Sequence, residues 1–189
     1  MFKNKTLWII IAVVLVLFFW VRGVYNSMVT QDESVKTAWS QVENQYQRRL
    51  DLIPNLVNTV KGYAAHESQT LEKVVQARNA AVAAPSTDVA AVASANQGLT
   101  GALRGLLAIA ENYPDLKANA QFLELQQALQ GIEGELGNAR RFYNATVRDY
   151  NTAIQQFPGS IIANMGNFKP RELFELEDQN EAKNVEVKF

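Results

Sequence analysis

The chain has no cysteine and one histidine in 189 residues. Without cysteine there is no disulfide framework, no thiolate metal site, no thiol nucleophile and no lipid-bearing cysteine anchor. A single imidazole, His66, removes every zinc motif that needs two. His66-Glu67-Ser68-Gln69-Thr70 begins like H-E-x-x-H but lacks the second histidine, so His66 reads as a turn or surface residue. An excess of one charge is also missing. Lys plus Arg number 18 against 19 Asp plus Glu, a net charge of −1, which argues against a nucleic-acid binder held by an overall basic field. No Gly-rich phosphate loop, no G-x-S-x-G and no E-x-x-H pair occurs. No catalytic residue, metal site, cofactor or small-molecule substrate is expected.

The length fits one domain with an appendage, and the charge is split between the two. Residues 1–24 carry Lys3, Lys5 and Arg22 and no acid, whereas residues 25–189 hold 15 basic and 19 acidic residues, a balance of −4. Leu7 to Val21 reads LWIIIAVVLVLFFWV without a polar residue. As a helix this run covers about 22 Å, short of a hydrocarbon core of about 30 Å. Phe2 and Thr6 extend it on one side and Gly23, Val24 and Tyr25 on the other. Lys3, Lys5 and Arg22 suit the headgroup layer, Arg22 by snorkelling, and Trp8, Trp20 and Tyr25 suit the interfacial aromatic belt. The alternative is a cleaved signal peptide, for which Val21-Arg22-Gly23 is a poor cleavage site. A run apolar on every face does not suit a core helix. An uncleaved anchor over residues 1–24 is expected, with the lipid bilayer as partner. The Lys3 and Lys5 bias places the N-terminus in the cytoplasm and the remainder outside.

The rest reads as helix. Val35, Trp39, Val42, Tyr46, Leu50, Ile53, Leu56 and Val60 recur at gaps of three and four, one buried helix face. Thr30 and Glu33 form a capping box at which a helix can start, although nothing forbids one continuous helix from Leu7. Pro54 inside the pattern predicts a kink. Gly62 to Ser68 is the best turn, and whether residues 30–84 form one kinked helix or two stays open. A helix over 69–84 ends at Pro85. Ser86 or Thr87 can cap the next, with Asp88 in its first turn. That helix runs to about Asn112. Leu99, Leu103 and Leu106 line one side, and Ala91, Ser94, Gly98, Gly101, Gly105 and Ala108 form a small-residue stripe. The stripe reads either as tight packing inside the bundle or as a contact between subunits.

Beyond Tyr113-Pro114 comes the strongest pattern, expected to be the longest helix: Phe122, Leu125, Leu129, Ile132, Leu136, Ala139, Tyr143, Thr146, Tyr150, Ala153 and Phe157. It predicts a coiled-coil-like seam. Gly131, Gly134 and Gly137 fall off the seam, as local weakness or as a second contact surface. Arg48-Arg49 and Arg140-Arg141 are candidates for phosphate, lipid or an acidic partner, or else they pair with carboxylates such as Asp51 and Asp149. Three Tyr-Asn pairs, at Tyr25, Tyr143 and Tyr150, are explained by packing. The 16 Asn and 14 Gln suit helix surfaces that bind other protein.

These features give an all-α fold: one transmembrane helix, an antiparallel up-and-down bundle of three to four long helices over 25–157, and an extended or partly disordered acidic tail over 158–189. Ile161, Ile162, Met165 and Phe168 are candidates to anchor that tail, and Val185, Val187 and Phe189 alternate like an extended segment.

The run from Tyr25 to Glu67, YNSMVTQDESVKTAWSQVENQYQRRLDLIPNLVNTVKGYAAHE, resembles the signature of the LemA family. ENYPDLKAN over 111–119, ARRFYNATVRDYN over 139–151, Ala77-Arg78 and Phe157-Pro158 match as well. The resemblance implies a bacterial protein anchored in the cytoplasmic membrane, an antiparallel helical bundle and no enzyme activity. One branch of the family is linked to building the magnetosome compartment, which leans toward a membrane-organising role. A self-assembling scaffold is the expected function, as a homo-oligomer. A monomeric adaptor for another membrane protein is the alternative.

Overall fold

The computed structural model describes residues 2–174. Among them every regular element is helical: α1 Phe2–Tyr63, α2 Ser68–Ala83, α3 Val89–Ala110, α4 Pro114–Lys117, α5 Ala120–Gln155 and α6 Gly159–Met165. The longest helix is α1, with 62 residues, and not α5, with 36. No residue between Leu7 and Tyr63 both ends a helix and caps it. Thr30 and Glu33 leave the capping role to one side: the Thr30 hydroxyl donates to the Asn26 carbonyl and Glu33 pairs with Lys36. Pro54 lies within the helix, which continues past it to Tyr63. The break after Tyr63 makes two helices of residues 30–84.

Local chemistry fixes the other ends. Asp88, not Ser86 or Thr87, caps α3, its side chain accepting from the Ala91 N–H at 2.8 Å. Pro114 opens the one-turn α4, where its missing N–H costs nothing. Asn119 then caps α5 by accepting from the Phe122 N–H at 2.9 Å. The chain after Phe157, expected as an extended tail, first forms α6. Asn167 ends it in the left-handed region at φ 55°, which asparagine tolerates. The Phe168 N–H donates to the Ala163 carbonyl and the Asn167 N–H to the Asn164 carbonyl, a Schellman closure. The tail beyond Phe174, including Val185, Val187 and Phe189, lies outside the described residues.

The chain divides into two compact units, residues 2–40 with 142–172 and residues 41–141 with 173–174. In the second unit a single apolar cluster is shared by α1 (Leu50, Ile53, Leu56, Val60), α2 (Leu71, Val74), α3 (Leu99, Leu103, Leu106), α4 (Leu116) and α5 (Phe122, Leu129). Each of these side chains removes apolar surface from water, at about 25 cal/mol per Å². In the first unit Met28, Val35, Ala38, Tyr143, Val147, Tyr150, Ile154 and Ile162 are buried.

The α5 seam departs from the strict 3,4 alternation in its second half. Val147 and Ile154 are buried, Thr146 and Ala153 are half-buried, and Phe157 is 82% exposed. An α-helix drifts about 20° per heptad against a 3.5-residue repeat. Over the five heptads from Phe122 this moves the buried line one residue round the helix.

Candidate functional site

Three features hold the chemistry of this chain: the apolar N-terminal stretch, a strap on the first unit, and a polar cluster inside the second. The large side chains from Leu7 to Val21 are 40–69% exposed, so no other described part of the chain covers any face of the run. It continues directly into the rest of α1. An exposed helix this apolar fits a membrane anchor. Trp8 and Trp20 are both exposed, at opposite ends of the run, and Lys5 and Arg22 flank it. Tyr25 stacks edge-on against Phe168, with ring centroids 5.5 Å apart. The side chain of Lys3 lies outside the described residues.

The strap comprises residues 166–172. Tyr150 donates its hydroxyl to the Lys169 carbonyl at 3.0 Å, and Tyr143 donates to the Glu172 carbonyl at 2.9 Å. Asn151 holds Arg171 by both backbone groups, donating to its carbonyl and accepting from its N–H, each at 2.8 Å. The Arg171 guanidinium reaches Asp32 through Nε at 3.0 Å and Nη2 at 2.7 Å, while Lys36 takes the other Asp32 oxygen at 3.1 Å. Burial pushes the Asp32 carboxyl up, but the hydrogen bonds from Arg171 and Lys36 outweigh it and hold the group below the usual carboxylate value. Asp32, Tyr150 and residues 167–171 line a cleft of about 310 Å³. The Tyr-Asn repeat is therefore more than packing: two tyrosines one heptad apart, and one of their asparagines, fasten the strap. The available signal was tyrosine rather than phenylalanine on a buried seam, since a buried hydroxyl needs a partner.

The polar cluster centres on Arg49, 1% exposed. Its Nη2 contacts Glu133 at 2.7 Å and Thr100 Oγ1 at 2.8 Å. Burial pushes its pKa down, and the nearby Arg140 pushes the same way while Glu133 opposes both. Arg140 donates to the Tyr46 hydroxyl at 2.8 Å and stacks 4.6 Å from the Phe174 ring centroid. Burial raises the Tyr46 hydroxyl. Arg48 pairs with Glu135, and Arg141 with Asn138. The Arg48-Arg49 doublet thus meets carboxylates, Glu135 and Glu133, whereas Arg140 and Arg141 meet the Tyr46 hydroxyl and the Asn138 amide oxygen. Asp51 instead accepts from Gln47. Sequence spacing along one helix pointed to near neighbours, whereas the carboxylate partners of Arg48 and Arg49 come from α5.

The glycines lie outward. Gly98, Gly101, Gly105, Gly131 and Gly134 are exposed and Gly137 is half-buried. A Cβ at Gly98, Gly101, Gly131 or Gly134 would meet nothing within 4 Å, and one at Gly105 would touch only Thr70 at 3.9 Å. None of these α3 glycines packs tightly against the described part of the chain. His66 is exposed in the turn before α2. Among the described residues no three His, Asp or Glu side chains gather as a metal site.

A family model described as the LemA family matches residues 38–189, beginning after the apolar run. The chain is similar to magnetosome protein MamQ 2 of Paramagnetospirillum magneticum, 27% identical over 80% of this chain and 64% of that protein. It is similar to magnetosome protein MamQ of Magnetospirillum gryphiswaldense, 28% identical over 79% and 64%. Protein LemA of Metamycoplasma hominis is 25% identical over 78% of this chain and 67% of its own length. The chain thus spans just under two thirds of the magnetosome relatives.

Proposed function

We propose that this chain, which belongs to the LemA family, is a non-catalytic membrane-anchored helical scaffold that self-assembles and organises membrane or envelope proteins. The observation that carries it is the uncovered apolar run Leu7–Val21, which continues as the same helix through residue 63. The reading takes the soluble helices as an antiparallel bundle, in the bacterial cytoplasmic membrane, with the N-terminus inside and the bundle outside. The Lys3 and Lys5 bias supports that orientation. Similarity to two proteins named for the magnetosome supports a role in membrane organisation. The outward glycines Gly98, Gly101 and Gly105, with Gly131 and Gly134 on α5, offer surfaces on which another backbone can approach closely.

Native mass measurement of the full chain extracted from membranes in mild detergent tests this. A homogeneous assembly of many copies is expected. A monomer overturns self-assembly and favours an adaptor that binds another membrane protein.

A further inference from the structure

On α6 the buried and exposed apolar residues separate. Ile162 and Ala163 are 5% and 2% exposed, whereas Phe157, Ile161 and Met165 are 82%, 54% and 82% exposed. Ile161 and Met165, four residues apart on α6, share a helix face, and Phe157 lies just before that helix. Three large apolar side chains so open to water are costly, at about 25 cal/mol per Å². The surrounding sequence is as unusual. From Tyr150 to Phe168 there is no charged residue, and Lys169 and Arg171 follow at once.

The place of α6 in the first unit suggests what covers this face. A Cβ on Gly159 would stand 3.0 Å from Met28 Cε, and one on Gly166 would stand 3.1 Å from Tyr25 Cε2. The Phe168 ring packs on Tyr25. So α6 lies beside Tyr25 and Met28, which follow Val21 by about 6 and about 10 Å along the helix axis. The polar layer on each side of a bilayer is about 5–8 Å deep. The uncovered face of α6 therefore lies at headgroup level, continuous with the end of the anchor.

We propose that Phe157, Ile161 and Met165 insert into the phospholipid interface, so that α6 is a second membrane contact beside the spanning helix. Short uncharged apolar faces flanked by cations bind interfaces in this way. The two contacts would fix the tilt of α1 at the point where it leaves the bilayer. This rests on the reading of Leu7–Val21 as a membrane anchor.

The absence of cysteine makes the test clean. Full-length Phe157→Cys, Ile161→Cys and Met165→Cys variants are spin-labelled and reconstituted into vesicles of phosphatidylethanolamine and phosphatidylglycerol. Ile11→Cys serves as the lipid reference. Ser40→Cys, exposed and about 28 Å beyond Val21 along the helix, serves as the water reference. The oxygen-to-nickel-chelate accessibility ratio at 157, 161 and 165 is expected to exceed that of Ser40→Cys several-fold. A ratio equal to that of Ser40→Cys, with Ile11→Cys in lipid, overturns the second contact and leaves the anchor intact. Exclusion of both reagents with spin–spin broadening assigns the face to another copy of the chain and overturns it too. A water-like Ile11→Cys overturns the anchor and the inference together.

Discussion

Asp32 and Arg171, separated by 139 positions in the chain, are joined by two hydrogen bonds from one guanidinium to one carboxylate oxygen. The pair ties the strap to α1, and its pH dependence has a definite sign. The Asp32 pKa is lower in the folded protein than that of a free aspartate side chain. Its contribution is therefore fully present above the unfolded value and lost as pH falls through the depressed folded one. Attachment of the strap should be constant near neutrality and weaken below about pH 4. Asp32→Asn should weaken it near neutrality and remove the pH dependence. Hydrogen exchange of the amides of Phe168, Lys169, Arg171 and Glu172, followed against pH, checks both. Unchanged protection in Asp32→Asn would contradict the assignment.

The tyrosine hydroxyls should be worth a measurable amount. Tyr143→Phe and Tyr150→Phe each remove one bond to a strap carbonyl, so each should cost about 1 kcal/mol. Asn151→Ala removes two and should cost more. Urea titration gives the stabilities, and limited proteolysis after Arg171 should accelerate most in Asn151→Ala. Equal cleavage in all variants would mean that the strap is held elsewhere.

Arg49 and Glu133 should behave asymmetrically. Removing one partner of a buried pair costs about 3–5 kcal/mol; Glu133→Ala should fall toward the low end, because the Glu133 side chain is 40% exposed. Arg49→Met, which fills the same space without charge, should be close to neutral. The double variant should recover most of the Glu133→Ala loss. Denaturant midpoints of the four proteins decide it, and additive losses would rule out the pair.

Gly101 separates helix stability from assembly. A Cβ there meets nothing within 4 Å, so Gly101→Ala should raise the stability of the soluble helices by about 1 kcal/mol through helix propensity. Gly101→Leu should keep the helical circular dichroism of the parent but shift its native mass downward. An unchanged mass would remove α3 from the contact surface.

Much of the fold was legible because helices announce themselves through spacing. The breaks at Gly62–Ser68, Pro85 and Pro114 were visible as turn residues, and the face from Val35 to Val60 was visible as gaps of three and four. Four things were less visible. The register of α5 beyond Tyr143 depends on how far the helix resists supercoiling, which no local residue encodes. The carboxylate partners of Arg48 and Arg49 sit on another helix, more than eighty positions away. The small-residue stripe showed where a backbone can come close but not which side of α3 faces the core. The strap, finally, is held through backbone carbonyls and one amide side chain, which leave no periodic trace. Only the tyrosine hydroxyls on a buried seam carried a trace of it.

Self-association through outward helix faces in the membrane is the central claim, and single-cysteine cross-linking in intact membranes tests it most directly. Gly101→Cys and Gly134→Cys each introduce the sole thiol of the chain, with Lys61→Cys, exposed near the end of α1, as a control. Mild oxidation at native expression should give a disulfide-linked dimer for at least one of the two glycine positions and none for the control. Monomer alone at both glycine positions, with thiols that still react with a water-soluble maleimide, would contradict the scaffold.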